Sequence, residues 1–129
     1  MNAGAMTLDL DDTTTTLVLK PDLPQAYPVL IVDDDELVRL RLVDLLEEAG
    51  YKTHTAGTAR EALDFLAKTY CPIVVTDWQM PDMDGIEFTE RLRAAAPRAT
   101  YVQMMTVRVS AAAHEYRNVA GVDAIQYNR

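Results

Sequence analysis

Two short runs constrain this chain more than any other feature. Val29-Leu-Ile-Val32 and Ile73-Val-Val-Thr76 are apolar or β-branched without a break, and each runs directly into acid, Asp33-Asp34-Asp35 in one case and Asp77 in the other. A strand with one face in water alternates between apolar and polar residues, whereas a strand covered on both faces does not. Unbroken runs of this kind predict a parallel sheet with helices on both sides, its acids standing at the exposed carboxyl ends of the strands. Ligands of open α/β sheets collect beyond those ends, so Asp77 is placed for chemistry there. On its own segment alone, a solvated loop aspartate accounts for Asp77 equally well.

The rest of the chain supplies the alternation that such a sheet needs. Val38, Leu42, Leu45, Leu46 and Ala49 share one helical face between Glu36 and Ala49, with Asp34 or Asp35 to cap the start and Gly50 to stop it. Tyr51 to Thr55 reads as a short edge strand. Thr58 caps a helix from Ala59 to Lys68 with a buried stripe of Ala62, Leu63, Phe65 and Leu66. After the Pro81-to-Gly85 turn a helix runs from Ile86 to Ala96, closed by Pro97. Tyr101 to Met105 makes a fourth strand ending in Thr106, Ala111 to Ala120 a fourth helix, and Val122 to Tyr127 a fifth strand. Strand and helix in alternation imply a doubly wound parallel sheet with right-handed crossovers. The fifth strand finishes at the end of the sequence, so the final helix of such a fold is expected to be missing from this chain. A partner copy, the N-terminal arm or a continuation would then have to cover part of the helix layer.

Residues 1–27 carry Asp, four consecutive threonines and two prolines without a sustained period, and read as a disordered arm before a single domain over residues 28–129. Leu17-Val-Leu19 is the one stretch there suited to a strand. A length of 129 residues leaves no room for a second domain. The net charge of -8 and pI near 4.6 disfavour a nucleic-acid surface. One cysteine, Cys71, excludes an internal disulfide and a thiolate metal site and points to a reducing cytoplasm. No apolar run is long enough to span a membrane.

If the first and third core strands are neighbours, about 4.8 Å apart, Asp33, Asp34 and Asp77 converge. Like charges that close raise one another's pKa unless a cation is present, so the cluster calls for a hard divalent ion. Mg²⁺ fits best, taking two carboxylates and a backbone carbonyl, that of Gln79, and keeping waters that phosphate oxygens replace. Asp35 is left as the helix cap. A carboxylate beside Mg²⁺ can attack phosphorus to give an aspartyl phosphate. A hydroxyl at a neighbouring strand end can then bond an equatorial oxygen, a place that Thr106 occupies, although a Thr there also serves simply to cap a helix.

From Val29 to Asn128 the chain resembles the receiver domains of two-component response regulators, the CheY-like branch of the flavodoxin-like fold. The resemblance rests on Ile31-Val-Asp33-Asp34, on Asp77-Trp-Gln-Met-Pro81 followed by Met83-Asp-Gly85, on Thr106, and on the Gly121-Val-Asp-Ala turn. It implies five parallel strands in the order 2-1-3-4-5 and Mg²⁺ at Asp33, Asp34 and Asp77. It also implies phosphoryl transfer to Asp77 from a sensor histidine kinase or phosphotransfer protein, with a downstream effector domain or protein as second partner. No turnover of an external substrate is implied. Family members often dimerise through their last elements; a homodimer of this chain would have to use another face or exchange elements.

One position departs from the family. Seven residues after Gly121, where receivers carry a lysine that pairs with the phosphoryl group, stands Asn128, and the three lysines of the chain, Lys20, Lys52 and Lys68, lie far away in sequence. Asn128 donates a hydrogen bond but brings no charge. The aromatic position three residues earlier holds Ile125, with Tyr127 displaced by two. Two readings follow: a phosphoacceptor with weakened coupling to its output face, or a pseudo-receiver that signals by protein contact alone. An aspartyl-phosphate phosphatase is a minor third, set back because Met80 and Pro81 precede the pair Asp82 and Asp84. His54 and His114 are isolated and read as packing or surface residues.

Overall fold

The computed structural model describes residues 5–10, 13–18, 27–95, 100–106 and 124–127, with the N-terminal strands and the last strand described by their backbone course. In chain order its elements are β1 (Ala5–Leu10), β2 (Thr13–Val18), β3 (Val29–Val32), α1 (Glu36–Glu48), β4 (Thr53–Ala56), α2 (Ala59–Lys68), β5 (Ile73–Asp77), α3 (Gly85–Ala95), β6 (Tyr101–Thr106) and β7 (Ala124–Tyr127). The helix expected over Ala111 to Ala120 lies outside the described residues, as does Asn128.

Strands β3 to β7 form one parallel sheet in the order β4-β3-β5-β6-β7, the arrangement that the resemblance implies. Its two faces are built by simple alternation. Val29 and Ile31 of β3 and Ile73 and Val75 of β5 pack with Leu42, Leu46 and Tyr51 on the α1 side. Leu30, Val32 and Val74 pack with Ala59, Ala62, Phe88, Leu92 and Val102 on the side of α2 and α3. All four residues of β3 are fully buried, which is why its sequence has no polar alternate.

The helix ends follow local chemistry. Asp35 Oδ1 accepts the N–H groups of Leu37 (2.9 Å) and Val38 (3.2 Å) to start α1. Gly50, with φ 96°, ends it in a conformation that a side chain would resist. Thr58 Oγ1 accepts the N–H of Glu61 at 3.1 Å to start α2. For α3 the cap is Asp84, whose Oδ1 accepts the N–H of Glu87 at 2.9 Å.

The N-terminal region differs from the arm expected there. Ala5–Leu10 and Thr13–Val18 pair as an antiparallel hairpin, with Leu10 opposite Thr13 and Ala5 opposite Val18, and β1 lies against α1. The reason is local: consecutive β-branched threonines followed by Leu17 and Val18 favour extended backbone even without clean alternation. The expected edge strand at Leu17 to Leu19 thus ends at Val18 and pairs within the hairpin, apart from the main sheet.

His54 packs its ring on Phe65, with centroids 4.7 Å apart. Cys71 is buried, its thiol donating to the carbonyl of Pro28 at 3.2 Å, and burial pushes its pKa up to about 11, so it behaves as a small apolar residue. Phe88, fully buried on α3, is the largest side chain of the second core face. Phe88→Ala is expected to lower stability in urea by about 3–5 kcal/mol, against no more than about 0.5 kcal/mol for Leu40→Ala, whose side chain lies largely in solvent.

Candidate functional site

The site lies at the carboxyl end of the sheet because β3 and β5 pair in parallel with Val32 opposite Thr76. The next residue of each strand, Asp33 and Asp77, therefore emerge side by side. One carboxylate oxygen from each of Asp33, Asp34 and Asp77 lies within 4.8 Å of the other two. Asp33 is buried, Asp77 is half-buried and Asp34 is exposed. The three acids that the sequence singles out are thus brought together, while Asp35 turns away to cap α1.

The loop after β5 closes the site from one side. Trp78, Met80 and Met83 are buried, and Asp82 sits at φ 76°, a left-handed conformation that an Asp tolerates better than most residues. Gly85 donates its N–H to the carbonyl of Trp78 at 2.7 Å. A Cβ at Gly85 would overlap the carbonyl oxygen of Asp77 and come within 3.1 Å of the Trp78 Cα, so the start of α3 lies directly on the backbone of Asp77. Thr76, also buried, donates its hydroxyl to the same Asp77 carbonyl at 2.9 Å. Beside the loop is an open cleft of about 770 Å³, lined by Trp78, Gln79, Asp84, Ile86, Glu87, Glu90 and Arg91. Trp78 thus lies between the core and this cleft.

Burial and mutual repulsion set the electrostatics. Removal from water raises the Asp33 carboxyl to about 6; Asp34 and Asp35 add repulsion, while the Asp35 N–H, which donates to Asp33 Oδ1 at 2.9 Å, and Arg39 pull it back. Asp77 rises to about 7, first through burial and then through the charges of Asp33 and Asp34, against hydrogen bonds from the N–H groups of Gln79 and Trp78. Two acids that resist ionisation side by side, with a third at the rim, form a donor set of hard oxygens short of positive charge. That chemistry suits a small divalent cation.

Thr106 ends β6 one residue beyond Met105, the register partner of Asp77, and is itself paired with Tyr127 of β7. Its backbone is therefore at the same end of the sheet as the acids. Sequence reasoning does not single out Arg39, whose Nη1 donates to the carbonyl of Asp33 at 2.8 Å. The available signal was its spacing: four residues after the cap Asp35, it begins the second turn of α1 above the acids.

Comparison with known proteins agrees with this geometry. The response regulator receiver domain pattern matches residues 29–126. Response regulator MprA of Mycolicibacterium vanbaalenii is 38% identical over 96 residues, covering 74% of this chain and 39% of that protein. Sensor histidine kinase RcsC of Escherichia coli (strain K12) is 42% identical over 65 residues, 50% of this chain and 7% of that protein. The structure of the Vibrio cholerae chemotaxis protein CheY4 superposes with a TM-score of 0.69 at 30% identity, covering 77% of this chain and 83% of that one. The chain belongs to the response regulator receiver domain family, and so to two-component signalling. It spans well under half the length of MprA and RcsC.

Two outcomes follow from the site. Because Asp33 and Asp77 bind protons more tightly in the folded than in the unfolded chain, their contribution is fully present below the unfolded value of 3.8 and is lost as pH rises through about 7. In EDTA, urea stability is expected to fall from about pH 5 to about pH 8, and Asp77→Asn to flatten that fall and gain about 1–2 kcal/mol at the upper end. Equal slopes in the two proteins would contradict the raised acids. Gly85→Ala is expected to cost about 1–3 kcal/mol by the same assay, because the methyl group meets backbone that cannot rotate away.

Proposed function

We propose that Asp77 is a phosphoacceptor, taking a phosphoryl group from a phosphohistidine on a sensor histidine kinase or phosphotransfer protein. The single observation that carries this reading is the convergence of Asp33, Asp34 and Asp77 at the end of adjacent parallel strands, in a chain of the receiver family. An Asp77 oxygen attacks phosphorus in line. The P–O bond forms as the P–N bond to imidazole breaks, and the departing imidazole keeps the electron pair and takes up a proton from solvent.

The donor set fits Mg²⁺, which Asp33, Asp34, Asp77 and the backbone carbonyl of Gln79 would hold. When bound, the ion offsets the negative charge of the acids and of the phosphoryl oxygens. The protein's own residues do the rest. The parallel register fixes Asp77 beside Asp33, the N–H groups of Trp78 and Gln79 orient its carboxyl, and Thr106, at the end of β6, would bond a phosphoryl oxygen through its hydroxyl. The product is a modified receiver that addresses an effector domain or protein, without turnover of an external substrate. A cytoplasmic setting follows from the kinase partnership; no helix among the described residues is long and apolar enough to cross a membrane.

A second reading is favoured by one residue. Asn128 stands at the family's lysine position, and a chain without that charge suits a pseudo-receiver that acts by protein contact alone. Incubation with acetyl phosphate and Mg²⁺, followed by intact mass measurement, separates the two. The expected result is a gain of one phosphoryl group that is absent in Asp77→Asn and in EDTA. A wild-type chain that gains no mass would support the pseudo-receiver. Steady release of phosphate from a small ester would support the phosphatase instead.

A further inference from the structure

The geometry points to Arg39 as a positioning residue for the cation site, one that fixes Asp33 through its main chain and leaves the acid oxygens free. The inference rests on the reading of the three acids as that site. Asp33 is held at three points. Its N–H donates to the carbonyl of Ala56 at 3.2 Å, its Oδ1 accepts the N–H of Asp35 at 2.9 Å, and its carbonyl accepts Arg39 Nη1 at 2.8 Å. The first two bonds come from the backbone of β4's end and of the turn into α1. The third is the only one of these that depends on a side chain other than its own.

The place of the guanidinium matters as much as its charge. Set against the carboxylate, it would compete with a divalent ion for the same oxygens; set against the carbonyl, it leaves them available. No ion pair joins Arg39 to a carboxylate among the described residues. The head group also fills a space made for it, since a Cβ on Gly57 would come within 3.2 Å of Nη1 and 3.7 Å of Cζ. Gly57 lies in the turn between β4 and α2, so Arg39 reaches from the second turn of α1 across the end of β3 to the neighbouring turn.

Charge and position make opposite predictions. Removing a positive charge near a cation site should by itself tighten Mg²⁺ binding. Removing a group that orients a ligand should weaken it, by about tenfold or more. The test measures Mg²⁺ affinity by calorimetry and by the fluorescence of Trp78, the one tryptophan of the chain, in wild type, Arg39→Ala, Arg39→Lys and Gly57→Ala. Alongside it, hydrogen exchange of the Asp35 amide is followed in Mg²⁺-free protein, against Val75 as a core control. The expected result is a dissociation constant raised about tenfold in Arg39→Ala, partly recovered in Arg39→Lys and raised less in Gly57→Ala, with the Asp35 amide exchanging about fivefold faster or more.

Equal or tighter Mg²⁺ binding in Arg39→Ala overturns the inference, as does a loss of thermal stability with affinity and exchange unchanged. If Arg39→Ala does not fold, Arg39→Lys and Gly57→Ala decide in the same way. A wild-type protein that takes up no Mg²⁺ would instead refute the cation site. The exchange measurement then decides alone, faster exchange supporting the hold of Arg39 on Asp33 and unchanged exchange overturning it.

Discussion

The parallel pairing of β3 with β5 is the interaction on which the rest depends. Register in a sheet is set by side-chain alternation, and here a slip of one residue would exchange the sets of side chains facing α1 and facing α2 and α3. The same register that buries Val29, Ile31, Ile73 and Val75 together also sets Asp33 next to Asp77. The acids cannot relieve their repulsion by sliding apart, because each buried aliphatic side chain of the strands is worth about 1.5–3 kcal/mol. Apolar packing therefore holds a charge arrangement that the charges themselves oppose, and the carboxyls of Asp33 and Asp77 are raised first by burial and then by the neighbouring acids.

Much of this was legible in the sequence, for physical reasons that differ from place to place. The core strands announced themselves because doubly covered strands have no polar alternate, and the sheet order then followed from family resemblance. Asp33, Asp34 and Asp77 could be named because strand ends are fixed by where the apolar run stops. Asp35 and Thr58 could be named as caps because their side chains bond the backbone two or three residues on, a purely local matter. What escaped was non-local. The spacing of Arg39 from the cap Asp35 puts it near the acids but does not say that its guanidinium reaches the carbonyl of Asp33, and nothing near Gly85 says that Asp77's backbone lies against it. The N-terminal hairpin is hidden for another reason: its threonines have strand preference but no apolar stripe, so the stretch carries no periodicity.

The site is asymmetric in how its parts are supplied. On the β4 side, Asp33 is tied by backbone bonds and by Arg39; on the β6 side, the backbone register pairs Thr106 with Tyr127, and the family's lysine position in the sequence carries Asn128. Positive charge is thus found behind the first acid, on the carbonyl of Asp33, while the sequence has a neutral amide at the position where the family resemblance implies a lysine.

The close seat of Gly85 on Asp77 has a mechanical consequence. With the Asp77 carbonyl accepting from Thr76 and lying against the first residue of α3, and with Gly85 bonded to Trp78, the main chain of Asp77 has no slack on that side. Were the Asp77 carboxylate to take up the proposed phosphoryl group and shift by a fraction of an ångström, it would push directly on the first turn of a helix. The bonds from the Glu87 N–H to Asp84 and from the Thr89 hydroxyl to the Gly85 carbonyl tie that turn together, so such a push would meet a braced helix start and not a loose loop.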